Sequence, residues 1–263
     1  SVLLITPSVL LIQCNKLMTP LMLALSLGIT DSDILDLLIY SNYISRIGLL
    51  FDKKNNTEFL SKRDNKNRTH AHHACKNHVS YGIIKKLLYN DPYSSFTDDL
   101  FYTPLSYYLY KNENVNINTL KLLYNYDDYM YRTGTLEYDL PIHIALKYSK
   151  QYEIIEEMIN NTSHPSPNRI NSNGHSPLSY ALKFKNDINI INIIINKFGI
   201  LFTTDRNTKE TILHLAVKNY SDTNLIKKFI LNNSMLLDKD INGNTPIHTA
   251  IISGTCKSKE SKM

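Results

Sequence analysis

The sequence predicts an all-α solenoid of about seven helix–turn–helix units joined by short hairpin loops, the last unit partial. Three observations predict it: a near-constant period, an alanine column in register with that period, and a hydroxyl–proline pair heading most units. The strings LMTPLMLAL, NRTHAHHAC, FYTPLSYYL, YDLPIHIAL, GHSPLSYAL, KETILHLAV and GNTPIHTAI share one frame. Their marker residues are Thr19, Thr69, Thr103, Leu140, Ser176, Thr211 and Thr245, spaced by 50, 34, 37, 36, 35 and 34 residues. Five positions after each marker stand Ala24, Ala74, Tyr108, Ala145, Ala181, Ala216 and Ala250.

Each unit starts with a short helix. A Thr or Ser hydroxyl can accept from a free N–H of the first turn, and the proline that follows sits where its missing N–H costs nothing. About fourteen residues on, ILDLL, IIKKLL, IIEEMI, IIINK and LIKKFI repeat apolar residues at helical spacing and predict a second helix. The third unit has LKLL, shifted by the insertion KNENVNIN. Turn-forming stretches such as RDNKN, NSNG and DING separate the units. The long first spacing leaves about sixteen extra residues, placed near 43–60. The organisation expected is thus one solenoid over 1–254, with that insertion, and a polar disordered tail over 255–263. One pair cannot bury its apolar face alone, so the units must stack.

The composition limits function. The chain has 263 residues, room for one large domain or two small ones, with 43% hydrophobic and 20% charged residues. It has no 18-residue apolar run, so no membrane insertion is expected. Cys14, Cys75 and Cys256 are odd in number and far apart, which suits an intracellular, cytoplasmic setting rather than a disulfide framework. The segment SVLLITPSVLLIQC lacks a basic start and is broken by Pro7, unlike a signal peptide. The formal charge of +5 is scattered, and no dense Lys/Arg cluster points to nucleic acid.

The frame resembles the ankyrin repeat over about residues 6–254. Asp240-Ile241-Asn242-Gly243-Asn244-Thr245-Pro246-Ile247-His248-Thr249-Ala250 carries the family's Asp-x-x-Gly-x-Thr-Pro-Leu-His-x-Ala pattern closely. Asn171 to Ala181 and Arg206 to Ala216 carry it with substitutions, and IQCNKLMTPL puts Cys14 in the Asp slot. The glycine slot holds Leu17, Asn67, Phe101, Tyr138, Gly174, Lys209 and Gly243. Only Gly and Asn take left-handed backbone cheaply, so the other tips are expected to be strained or reshaped. The resemblance implies a protein-binding scaffold or adaptor without catalysis, its concave face lined by first-helix ends and hairpin tips.

The stretch HAHHACKNH, residues 70–78, could instead suggest a metal-dependent enzyme. At about 100° per residue, His70, His72, His73, Cys75 and His78 ring a helix rather than converge, as a tetrahedral site would require. His72 shares its slot with His143, His214 and His248, which the resemblance casts as bonding backbone within and between repeats. Cys75 falls in an aliphatic column. Nucleotide-binding and hydrolase motifs are absent from the sequence. The pairs Glu156-Glu157 and Asp98-Asp99 are read as facing solvent or turns, and neither metal nor cofactor is expected.

Candidate binding residues come from two slots at the end of the first helix: Lys76, Tyr110, Lys147, Lys183 and Lys218, then Tyr148 and Phe184. Lysines with aromatics suit a protein partner with an acidic surface, although lysines also solvate a helix end and complement its dipole. Variable hairpin tips add Lys66, Arg68, Tyr102 and His175, with Asn65, Asp139, Glu210 and Asn244 beside them. A monomer is expected. Two further possibilities remain open at this point. The chain is one region of a larger protein with an effector domain elsewhere, or residues 43–60 are themselves the docking element.

Overall fold

A computed structural model describes residues 13–36, 38–39, 60–91, 97–110, 114–126, 139–148, 151–160, 170–230 and 233–255. Most of the 43–60 insertion, Tyr138 and all but the first residue of the 255–263 tail lie outside these. The chain divides into two compact units, Ser1–Leu136 and Glu137–Met263.

The first unit holds α1 (Pro20–Ser26), α2 (His70–Lys76), α3 (Tyr81–Asn90), α4 (Pro104–Leu109) and α5 (Ile117–Tyr126). Residues 32–36 are also helical. The helices α1, α2 and α4 pack side by side in chain order, while α3 pairs with α2 and α5 with α4. A second layer forms where α3 lies on α5.

The second unit holds α6 (Pro141–Tyr148), α7 (Tyr152–Asn160), α8 (Pro177–Lys183), α9 (Ile188–Phe198), α10 (Ile212–Asn219), α11 (Thr223–Ile230), a 3-10 turn (Asn233–Leu236) and α12 (Pro246–Ser253). Here α6, α8, α10 and α12 form the row of first helices, and α7 and α9 pack together behind it. Among the described residues there is no strand, only an isolated bridge between Thr204 and Thr211. The architecture is all-α, of helix–turn–helix repeats.

Local chemistry starts each first helix where the sequence places it. The hydroxyls of Thr19, Thr103, Ser176 and Thr211 accept from the backbone N–H three residues on, at 3.1–3.4 Å. All seven residues of the alanine column are buried, including Tyr108. A methyl group there lets neighbouring helices approach closely. Apolar stripes of the second helices, such as Ile83, Ile84, Leu87 and Leu88 on α3, or Ile190, Ile191 and Ile194 on α9, are buried as their spacing requires.

Within each unit, described tips are tied to their neighbours. Asn65 N donates to Lys16 O at 2.9 Å and Asp99 N to Lys66 O at 3.1 Å in the first unit. Arg206 N donates to Asn173 O at 2.9 Å and Ile241 N to Thr208 O at 2.8 Å in the second. A carboxylate or amide at the base of the tip adds two bonds: Asp64 Oδ1 accepts from Lys66 N and Arg68 N, both at 2.9 Å. Asp98, Asn171 and Asp240 do the same in their own tips.

The glycine slot keeps its shape without glycine. Leu17, Asn67, Phe101 and Lys209 have φ of 57°, 62°, 62° and 58°, beside 85° at Gly174 and 81° at Gly243. The tips are therefore strained at Leu17, Phe101 and Lys209 rather than reshaped. A second left-handed column, nine residues after the marker, ends the first helices at Gly28, His78, Lys185 and Gly254. One alignment shifts: Asp205, not Arg206, is the tip carboxylate, because that loop is one residue longer.

Candidate partner-binding face

The histidine stretch is a piece of scaffold. His72 Nδ1 accepts from Thr69 N at 3.1 Å, so Nε2 carries the proton and donates to Tyr102 O in the next tip at 3.0 Å. His143 makes the same link to His175 O at 3.2 Å, and His214 to Asn244 O at 3.0 Å. His248 accepts from Thr245 N at 3.3 Å. His70, standing where most units have proline, bonds Thr19 Oγ1 at 2.8 Å and Leu60 O at 3.3 Å. His73 reaches Asp64 Oδ2 at 3.1 Å, and His78 lies edge-on to Tyr108.

Burial pulls the pKa of His70, His72 and His143 down to about 3, so all three are neutral near pH 7. Burial pushes the Cys75 thiol up, the reverse of what a nucleophile needs. Among the described residues, no group of three His, Cys, Asp or Glu side chains is placed to hold a metal ion.

In the first unit the face collects tyrosines around one lysine. Lys76, exposed at the end of α2, puts Nζ 5.9 Å from the Tyr107 ring centre. Tyr102 lies 5.3 Å from Tyr107 and 6.3 Å from Tyr110. Lys66 is exposed on its tip. Arg68 is turned onto Asp64, with Nε 2.8 Å and Nη2 2.6 Å from Oδ2. Burial alone would raise the Asp64 pKa, but bonds from His73, Arg68 and two backbone N–H groups hold it well below the usual carboxylate range.

In the second unit Lys147 is exposed at the end of α6, with Nζ 5.1 Å from the Tyr148 ring and 5.8 Å from that of Phe184. Phe184 is 37% exposed and rests edge-on against Tyr180, 5.0 Å between centroids. The other two lysines of the stripe are neutralised: Lys218 pairs with Glu210 at 2.6 Å and Lys183 with Asp205 at 3.1 Å. No carboxylate among the described residues lies within ion-pair distance of Lys147 or Lys76.

Of the tip residues read as surface, His175, Asp139 and Glu210 are buried. His175 is 2% exposed and sits 2.9 Å from Asp205, because the next tip closes over it. Asp139 is buried, bonding Asn171 Nδ2 at 2.6 Å and the Tyr180 hydroxyl at 2.8 Å. Asp98, expected to face solvent or a turn, is buried within its turn, where it also accepts from the Tyr107 hydroxyl at 2.7 Å. Sequence reading missed Tyr107 and Tyr180 as residues that reach tip carboxylates. A signal existed for the first: Asp98 to Tyr107 repeats the nine-residue spacing of Asp64 to His73.

Comparison with known families now adds to this geometry. Residues 180–259 match the family of ankyrin repeats, in three copies. Residues 180–259 are similar to ankyrin repeats. A search of curated proteins finds no match. Ankyrin repeats are in general protein–protein interaction modules, and the family is typically non-enzymatic. Among the described residues, no helix is long and apolar enough to cross a membrane.

Proposed function

We propose that this chain is a scaffold or adaptor that binds a protein partner with an acidic surface through the exposed first-helix ends and tips of its ankyrin repeats. The observation that carries this reading is Lys147, an exposed ammonium flanked by the rings of Tyr148 and Phe184 with no carboxylate among the described residues within ion-pair distance. An ammonium so placed offers its charge to an incoming carboxylate, while the rings offer apolar area; aromatic and cationic residues in one patch are what interface hot spots are made of. In the first unit Lys76 against Tyr107, with Tyr102 and Tyr110 beside it, provides a second patch of the same chemistry.

The test is quantitative affinity capture from a lysate of the source organism, comparing the natural chain with Lys147→Glu/Phe184→Ala. Circular dichroism checks that helicity is unchanged. The expected result is a protein whose recovery falls about tenfold or more with the double substitution, as loss of a hot-spot pair implies. Identical capture by both proteins contradicts the reading.

A further inference from the structure

Three titratable groups meet at the edge of the face in the second unit. His175 Nε2 lies 2.9 Å from Lys183 Nζ and 2.9 Å from Asp205 Oδ2, and Lys183 Nζ lies 3.1 Å from Asp205 Oδ2. One triangle therefore holds a base, a cation and an anion, and it admits two proton arrangements.

With the imidazole neutral, Nδ1–H points to Ser179 Oγ at 3.4 Å, and the Nε2 lone pair accepts from the lysine ammonium, which also donates to Asp205. With the imidazole protonated, Nε2–H donates to Asp205 instead. Two donors then face each other at 2.9 Å, and one must leave. Asp205 offers no second seat, since its Oδ1 already accepts from Asn207 N and Thr208 N at 2.8 and 3.2 Å. The histidine is 2% exposed and enclosed, whereas the lysine side chain is 37% exposed, so the lysine is the member free to move.

We propose that His175 is a proton-operated latch: neutral, it helps tie Lys183 to Asp205, and protonated, it releases Lys183 to the partner-binding face beside Phe184. This rests on the binding role proposed above and supplies its regulation. The face gains a free cation in acid, so an acidic partner is held more tightly there.

The other titratable groups facing His175 are Asp139, from the start of the unit, and His143, neutral on α6. Asp139 favours the protonated ring, and burial with Lys183 disfavours it, so the latch opens below the ordinary histidine range near pH 6.5.

The test uses the full chain labelled with nitrogen-15 and needs no partner. Histidine ring nitrogens and the Lys183 side chain are followed by NMR from pH 7.5 to 4.5 in the natural chain, in His175→Gln and in Lys183→Met. The expected result is a His175 ring protonated at Nδ1 near pH 7.5 that becomes an imidazolium in acid. Lys183 signals move with the same midpoint, and this movement is absent in His175→Gln. In Lys183→Met the His175 midpoint rises by about 1 pH unit, because a neighbouring cation has been removed. A ring that never titrates while the chain stays folded, or one that titrates without moving Lys183, overturns the latch. A second arm measures retention of the chain on immobilised poly-glutamate. Retention that rises in acid more for the natural chain than for Lys183→Met supports the release. An equal rise in both, with the NMR result as expected, overturns the link to binding and leaves the Lys147 reading to its own test.

Discussion

In the first unit the left-handed residue of each described tip is Leu17, Asn67 or Phe101; in the second it is Gly174, Lys209 or Gly243. The backbone is left-handed in all six, with φ of 57–62° at the residues with side chains and 81–85° at the glycines. Glycine therefore does not create the turn; it removes a strain that the surrounding bonds impose anyway. At Phe101 those bonds come from Asp98, whose Oδ1 accepts from two tip N–H groups, and from Asp99 N reaching Lys66 O in the neighbouring tip. At Leu17 no tip carboxylate exists, and the turn is closed by backbone bonds, Leu17 N to Cys14 O at 2.7 Å and Cys14 N to Met18 O at 3.0 Å, together with the Gln13 side-chain amide donating to Leu17 O. The ankyrin-repeat family match covers 180–259, in the unit that keeps two of the glycines.

The units also differ in how they hold their carboxylates. Asp64 and Asp98 are bonded by side chains of their own repeat: Arg68, His73 and Tyr107. Asp139 and Asp205 are bonded by side chains of the adjacent repeat: Asn171, Tyr180, His175 and Lys183. The second unit thus couples its repeats through the tip carboxylates, whereas the first does so through other side chains: His70 to Thr19 Oγ1, Asn77 to Leu25 O, Lys86 to Asp36 and His72 to Tyr102 O.

Acid should separate the units most. His70 and His72 lie in the first and His143 in the second, each with a folded pKa of about 3. A depressed histidine pKa means the unfolded chain binds more protons between pH 6.5 and 3, so stability falls as pH falls through that window. Each group contributes about 1.4 kcal/mol per pH unit. From pH 6.5 to 5 the loss is on the order of 4 kcal/mol in the first unit and 2 kcal/mol in the second. Hydrogen exchange resolved by helix should show α2 losing protection before α8; the opposite order would break the comparison.

The glycines of the second unit sharpen it. A Cβ on Gly174 would lie 2.4 Å from Thr204 O of the next tip, whereas one on Gly243 would meet nothing within 4 Å. Gly174→Ala combines left-handed strain with a backbone clash and should destabilise by about 3 kcal/mol, and Gly243→Ala by about 1 kcal/mol. Denaturant titration checks this, and equal effects would remove the close approach from the explanation.

The smallest effect has the opposite sign. Leu17→Gly and Phe101→Gly should each stabilise by about 0.5–1 kcal/mol, relief of left-handed strain exceeding the added freedom of the unfolded chain. Both side chains are about half exposed, so little burial is lost. A lowered melting temperature in both variants would contradict the strain.

Much of this was legible in the sequence. The Thr–Pro starts, the alanine column and the aliphatic second helices are local patterns, and the helices form on them. The histidine slot repeats in four copies, and its backbone-bonding role was implied only by the resemblance to the ankyrin repeat. The left-handed angles at Leu17 and Phe101 were not, because a strain of about 1–2 kcal/mol is decided by bonds from the next tip rather than by the residue itself. The lysine stripe was half legible. That Lys147 has no carboxylate among the described residues within ion-pair distance, while Lys183 pairs with Asp205 of the next tip and Lys218 with Glu210 of its own, depends on how the tips fold, which spacing alone does not reveal. His175 seemed a surface residue by its slot, and only the fold of the following loop buries it.

The central claim is that one hairpin frame runs through both units whatever residue fills the tip. An NMR measurement of intraresidue amide-to-α-proton cross-peaks at Leu17 and Phe101 tests it most directly. Cross-peaks as strong as those of a left-handed residue, matching Lys209 in the same spectrum, are the expected result. Weak cross-peaks, as for ordinary negative φ, would mean the first unit closes its tips another way and would contradict the claim.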